Sequence, residues 1–330
     1  MIDSIKINAT LPTFQGNFEE VEVDERLLNT AFENADKFEK TFESKEKKLD
    51  LTEVEDFIAS NFRIRKNILT GFYEWNGRRM TPEDWNTIFL TCKKAFDALT
   101  NPLFISIVRS NKTPQVNPIN DFLNNIKWDG KPRIRELAKT LNSCTGDLDY
   151  QELMLYRWLM GFMQNVYSND ACPLMLIIVG LKNTGKTWFF KHLLPSKLNE
   201  YFGTSQHDRD KDDDMLMTQK WLLLDDEYSG KSKQDSKKMK RLSSASTFDL
   251  RVPYGAENVQ LKRISVLAGT CNEIEVLNDP SGNRRFIVLE VNERMDWEGF
   301  NQIDKDQLFA ELKHEWDSGE TGNLLSHEID

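Results

Sequence analysis

Cysteine is scarce in this chain: Cys92, Cys144, Cys172 and Cys271 are the four among 330 residues, and no two form a C-x-x-C pair. A disulfide-stapled scaffold is therefore excluded. With only His192, His207, His314 and His327 to supplement the thiols, the composition also argues against a zinc site and for reduced, buried cysteines. No run of eighteen apolar residues occurs, and Met1-Ile2-Asp3-Ser4 opens no signal-peptide core. The expectation is a soluble, cytoplasmic protein with no membrane partner. Internal repeats are absent. Positive charge is outweighed, 43 Lys and Arg against 53 Asp and Glu, for a formal net charge of −10. That balance excludes a protein coated in basic surface for wrapping DNA, although a local basic strip is enough to contact a nucleic-acid backbone.

What is present centres on Leu174-Met175-Leu176-Ile177-Ile178-Val179. Six apolar residues in a row predict a strand buried on both faces, as in a central parallel sheet. The strand runs into Gly180-x-x-x-x-Gly185-Lys186-Thr187, a phosphate-binding loop pattern at every fixed position. An apolar, helix-compatible run follows and stops at Pro195. In that context the candidate nucleotide-binding residues are Gly180, Asn183, Thr184, Gly185, Lys186 and Thr187, with ATP and Mg²⁺ as the expected ligands. Loop N–H groups and the helix N-terminus would cradle phosphates, Lys186 would reach the β- and γ-phosphates, and the Thr187 hydroxyl would hold Mg²⁺.

Around this core the sequence reads as an α/β protein in five parts. Residues 1–50 are polar and charge-dense, a tether without assigned chemistry. Residues 51–116 read as a small, mainly helical domain. Thr52-x-x-Glu55 predicts a capping box, Thr81-Pro82-Glu83-Asp84 opens a second helix, and the latter's aromatic face reads as core. Residues 117–165 form a helical collar after the boundary at Asn117-Pro118, with a turn at Trp128-Asp129-Gly130-Lys131-Pro132-Arg133. Residues 166–295 hold the nucleotide-binding core, and 296–330 a C-terminal helix and tail.

Within the core, Ser205 to Asp214 is expected to be a solvated acidic loop, because it lacks the spacing and glycine of a calcium loop. Trp221-Leu222-Leu223-Leu224 is a second strand that delivers Asp225, Asp226 and Glu227 at its carboxyl end. One acid holds the metal and the next orients or deprotonates water; spacing does not assign the three. Lys231 to Arg241 holds six basic residues and one acid, an asymmetry pointing to polymer phosphates, with a solvated helix face as the competing reading. Phe248 to Arg263 reads as a hairpin with a Pro/Gly tip. The candidate nucleic-acid residues are Lys237, Lys238, Lys240, Arg241, Arg251, Lys262 and Arg263. A third strand, Ile264 to Thr270, ends at Asn272. The turn at 278–283 leads through Arg284-Arg285 to a fourth, Phe286 to Leu289.

This order of motifs resembles the AAA+ core of superfamily 3 helicases. More closely it is similar to the virulence-associated E family of phages and integrated mobile elements. The stretches that carry the resemblance are the Trp128–Arg133 turn, Gly180–Thr187, Arg251-Val252-Pro253-Tyr254-Gly255, Gly269-Thr270-Cys271-Asn272 and Ser281-Gly282-Asn283-Arg284-Arg285-Phe286. Together they span residues 117 to about 325. The resemblance implies a P-loop NTPase core in an ATP-driven DNA helicase or replication initiator. Such a protein works as a homo-oligomeric ring, expected to be a hexamer, in a bacterial host's cytoplasm, on single- or double-stranded DNA, beside a separate primase. It further implies that Asp226 and Glu227 take the metal and base roles. Asn272 would be the sensor, one of Arg284 and Arg285 the arginine finger, and the hairpin would face the ring channel. Asp225 departs from the pattern, standing where an apolar residue is common.

Overall fold

The structure, a computed structural model, describes residues 49–205, 210–228, 233–251, 258–272 and 285–324. The chain divides into compact units Met1–Val54 and Glu55–Asp330; apart from the first turn of α1 (Leu51–Phe62), everything below lies in the second. That helix begins two residues earlier than the capping-box pattern requires. Asp50, not Thr52, is its cap, accepting the Thr52 N–H at 2.8 Å, as a short carboxylate at the N-cap does well.

The helical expectation for 51–116 is incomplete. Helices α2 (Pro82–Ala95) and α3 (Asn101–Val108) are there, and Thr81 and Asp84 form the reciprocal capping box at α2. Between and after them, however, run β1 (Arg65–Asn67), β2 (Tyr73–Trp75), β3 (Arg78–Arg79) and β4 (Gln115–Val116). They make one sheet in the order β3-β2-β1-β4. Strands of two or three residues are too short to print an alternating pattern on the sequence. Asn76 and Gly77 turn the β2–β3 hairpin with positive φ, +54° and +79°, the requirement of a tight hairpin turn. Asn67 ties this sheet to the rest, donating to Glu74 Oε1 and to the Tyr201 hydroxyl, both at 2.8 Å.

Next come α4 (Pro118–Asn125), α5 (Ile134–Thr140) and the twenty-residue α6 (Leu148–Tyr167). The core then alternates strand and helix: β5 (Met175–Gly180), α7 (Lys186–Lys191), a 3₁₀ turn (Ser196–Tyr201), β6 (Phe202–Thr204), α8 (Asp210–Gln219), β7 (Leu222–Asp225) and α9 (Lys233–Ser244). The hairpin β8 (Thr247–Arg251) and β9 (Asn258–Lys262) follows, then β10 (Val266–Cys271), β11 (Phe286–Val291), α10 (Trp297–Gln302) and α11 (Lys305–Asp317). Five strands form one parallel sheet, β11-β5-β10-β7-β6. Both faces are covered, which is why β5 is apolar throughout. Leu176 and Ile178 join a large core with α6, α7 and α11, while Met175, Ile177 and Val179 meet Met217, Tyr228, Met239 and Leu242 on the other face. Helix α6 is stitched to the sheet by buried polar groups: the Trp158 indole donates to Leu267 O and the Asn165 amide to Ser265 O.

The acidic stretch before β7 is not a solvated loop. Its second half is α8, and Asp213 there is fully buried, accepting from the Ser205 hydroxyl at 2.8 Å and pairing with Lys238 at 2.6 Å. The turn at 128–133 also has a structural task. The Asp129 N–H donates to Gln307 on α11, the Arg133 N–H donates to Glu311, and the Trp128 ring lies 4.8 Å from that of His314. Among the described residues no helix is long and apolar enough to cross a membrane.

Candidate functional site

In a parallel sheet all carboxyl ends lie on one side, and ligands gather there where neighbouring strands diverge. Here β5, β10 and β7 are adjacent, and their carboxyl ends surround a cleft of about 400 Å³. Lys182, Asn183, Gly185, Lys186, Thr187, Trp188, Asp226, Glu227, Thr270 and Asn272 line it.

The glycines of the loop are required by contact. A Cβ on Gly180 would stand 2.1 Å from Val291 O, and one on Gly185 (φ +103°) would stand 1.6 Å from the Trp297 ring. Asn183 also takes a left-handed φ of +66°. From outside, the loop is braced by the segment before α10: the Met295 N–H donates to Thr184 O, and Trp297 sets its ring 4.4 Å from that of Trp188. Thr184 is buried, its hydroxyl donating to Leu181 O. Lys186 is 7% exposed and donates to Gly180 O at 2.8 Å and Leu181 O at 2.7 Å. Burial holds its pKa below the usual lysine value, against the opposing influence of Cys271 and Asp226.

Opposite the loop, one carboxylate oxygen gathers two hydroxyls. Asp226 Oδ1 accepts from Thr187 Oγ1 at 2.8 Å and from Thr270 Oγ1 at 2.7 Å. Thr270 in turn accepts the backbone N–H of Glu227 at 3.1 Å. Glu227 itself sits at φ +66°, a conformation uncommon outside glycine and frequent where backbone is held for a purpose. The carboxylate register that spacing left open thus falls into two groups. Asp226 and Glu227 line the cleft, whereas Asp225 does not. As the last residue of β7, Asp225 is 3% exposed and does not line the cleft, which corrects its candidacy as a metal ligand.

Thr270 was missed in the sequence. Its signal is its place near the carboxyl end of the apolar run of β10, two residues before Asn272, with which it lines the cleft. Arg285 is half-buried immediately before β11, and Arg284 lies outside the described residues. The pairing of Phe286 with Met175 and of Val291 with Gly180 puts Arg285 at the amino end of the sheet, away from the loop.

The basic candidates divide. Arg263 is a correction: fully buried, it donates to Leu242 O, Ser243 O and Ser265 O and cannot reach a nucleic acid. Burial pushes its guanidinium down to about 10, which leaves it charged at neutral pH. Lys262 is another, partly buried at the hairpin base with its ammonium on Val166 O at 2.8 Å. Lys238 is taken by the buried Asp213, and Arg241 pairs with Asp214 at 2.7 Å. Lys240 is half-buried and Arg251 exposed. The Lys237 side chain and the hairpin tip, 252–257, lie outside the described residues.

The chain belongs to the virulence-associated protein E-like family: the model of the virulence-associated protein E-like domain matches residues 123–330. No curated protein matches it. Among solved structures it is similar to the A-form apo structure of the NrS-1 C-terminal region, at a TM-score of 0.53 and 14% identity over 79% of this chain and 68% of that one. It is also similar to an apo structure of NrS-1 C-terminal residues 305–718, at 0.50 and 14% over 81% and 74%. At this identity the likeness concerns the fold: mixed α/β with a parallel sheet.

Proposed function

We propose that this chain is an ATP-hydrolysing DNA helicase or translocase, or a replication initiator, of a phage or mobile element, built on a P-loop NTPase core and acting as a homo-oligomeric ring. The observation that carries the reading is the hydrogen-bonded set Thr187–Asp226–Thr270 beside Lys186, at the mouth of a loop whose glycines admit no side chain. The residues fit a nucleoside triphosphate with a divalent cation: hard oxygen donors on one side, an ammonium and loop N–H groups on the other. Thr187 and Asp226 would hold Mg²⁺, which when bound neutralises phosphate charge. Glu227, fixed through its N–H by Thr270, is the candidate to orient or deprotonate the attacking water. Asn272 stands at the same end as the sensor.

The position of Arg285 favours action between subunits. Five residue steps of strand, about 17 Å, separate its end of the sheet from the loop. A finger from Arg284 or Arg285 therefore serves a neighbour's nucleotide in a ring, where such a cation is worth on the order of 10³–10⁵ in rate. One observation favours a second reading, a nucleotide-switched scaffold that assembles without unwinding: Lys238, Arg241, Lys262 and Arg263 are all engaged within the chain.

The test is ATP turnover with and without single-stranded DNA, run beside strand displacement. Lys186→Ala abolishes turnover, and Glu227→Gln keeps ATP bound without turnover. Thr270→Val lowers kcat with little change in KM, and Thr270→Ser restores it. A wild-type chain that binds ATP and assembles without unwinding supports the scaffold; one that binds no nucleotide sinks both readings.

A further inference from the structure

The net charge of −10 conceals a region of opposite sign. Residues 63–112 carry nine Lys and Arg against four Asp and Glu, an excess of +5 within an acidic chain. This is the segment folded around the small sheet, outside the family match and outside the cleft.

Its arginines are placed on rings. The guanidinium of Arg79 lies 3.4 Å from the ring centre of Phe72, Arg78 lies 5.9 Å from that of Trp75, and Arg109 5.9 Å from that of Trp85. Contacts of this kind occur about once in 70–80 residues, so three between Phe72 and Arg109 exceed ordinary scatter. Two of them belong to one row. Tyr73 and Trp75 stand two apart on β2 and share a face, and Trp85 meets Tyr73 edge-on at 5.5 Å. The row therefore runs Arg78, Trp75, Tyr73, Trp85, Arg109, with Tyr73 buried and both tryptophans partly exposed. Four local ion pairs, Arg65–Glu74, Arg78–Asp84, Lys93–Asp97 and Lys112–Glu55, hold side chains in place without cancelling the excess.

We infer that this face is a contact surface for single-stranded DNA. Guanidinium groups reach phosphate oxygens, and half-exposed indoles offer stacking for bases. Only an unpaired strand can use both at once, because a duplex hides the faces of its bases. The occupant is chosen by charge complementarity: a polyanion on the positive segment of a negative chain. The competing account is that Arg78 and Arg79 merely guard the exposed edge strand β3 against pairing with other sheets.

The experiment uses the full chain and a fluorescein-labelled oligothymidylate, without nucleotide, so that its outcome does not depend on the ATPase reading. Anisotropy titrations over a salt series are compared for wild type, Arg78→Gln/Arg109→Gln and Trp75→Leu, each checked for a wild-type melting transition. The double variant is expected to bind about tenfold more weakly, with the slope of log affinity against log salt flattened by about 1.4, roughly 0.7 per lost contact. Trp75→Leu is expected to weaken oligothymidylate but not polyphosphate, which has no bases to stack. Unchanged affinity and slope in a folded double variant overturn the inference; aggregation of that variant with wild-type binding assigns the arginines to edge protection. Binding to anionic lipid vesicles but not to oligothymidylate also overturns it, in favour of a membrane surface.

Discussion

Helix α9 with the hairpin base and the small N-terminal sheet are the two regions where lysine and arginine gather, and they use them in opposite ways. At α9 and the hairpin base three cations face inward. Lys238 neutralises a fully buried aspartate, Arg263 caps the last carbonyls of α9, and Lys262 caps the last turn of α6. On the small sheet the arginines lie outside, over aromatic rings. Charge counted along a sequence does not distinguish these cases, because a buried carboxylate twenty-five residues away is invisible to it. The comparison also separates stability from binding, and the two regions are expected to fail differently when changed.

The largest effect is expected at Arg263. Replacing it with Met leaves Leu242 O, Ser243 O and Ser265 O buried without that donor, and groups so stranded cost roughly 1–3 kcal/mol each where water cannot reach. A loss of about 3 kcal/mol of unfolding free energy, read by urea titration, is the expected outcome. DNA affinity scaled to the folded fraction should not move. If it falls while stability holds, the inward reading of this region is wrong.

How far each region was legible follows from the same physics. The loop, the acidic strand end and the parallel core were readable because both-face burial writes long apolar runs, and because the glycines at 180 and 185 answer to steric contact. The small sheet was not, since two- and three-residue strands leave no period. Thr270 was passed over because a lone hydroxyl at a strand end carries no pattern; its role rests on Asp226 and Glu227, brought beside it by the register of β10 and β7. Asp225 is not separable from Asp226 in the sequence, because adjacent acids look equivalent until the fold buries the one that ends β7 and leaves the next at the cleft.

The turn at 128–133 gives the comparison a third arm, in which an acid rather than a cation is turned inward. Glu311 is 5% exposed and accepts the Arg133 N–H at 2.7 Å. Burial raises its pKa from 4.5 to about 7, with the Arg133 backbone contact and charge pulling the other way and Glu315 and Glu152 adding to the rise. The folded state thus holds this proton more tightly than the unfolded chain. Its contribution to stability is fully present below about pH 4.5 and is lost as pH rises through about 7. Gln at 311 keeps the acceptor and abolishes the titration. Glu311→Gln should match wild type at pH 4.5 apart from a constant offset, and should gain about 3 kcal/mol relative to it by pH 8. Parallel pH dependences for the two proteins would remove Glu311 as the source.

The smallest effect, and the one that most sharpens the comparison, is expected at Arg241. It belongs to the basic helix, but its side chain is 45% exposed and its partner Asp214 lies at 2.7 Å. An exposed pair is screened by solvent and loses side-chain entropy on forming, so its removal costs less than about 1 kcal/mol. Arg241→Gln should therefore leave the melting midpoint nearly unchanged, unlike Arg263→Met just beyond β9. That makes it the cleanest probe of whether α9 touches DNA, because any change in affinity cannot be charged to unfolding. If α9 turns its cations inward, affinity for oligothymidylate and its salt slope stay at wild-type values. A slope flattened by about 0.7 would restore α9 to the nucleic-acid surface alongside the small sheet, and the contrast between the two regions would then be one of degree.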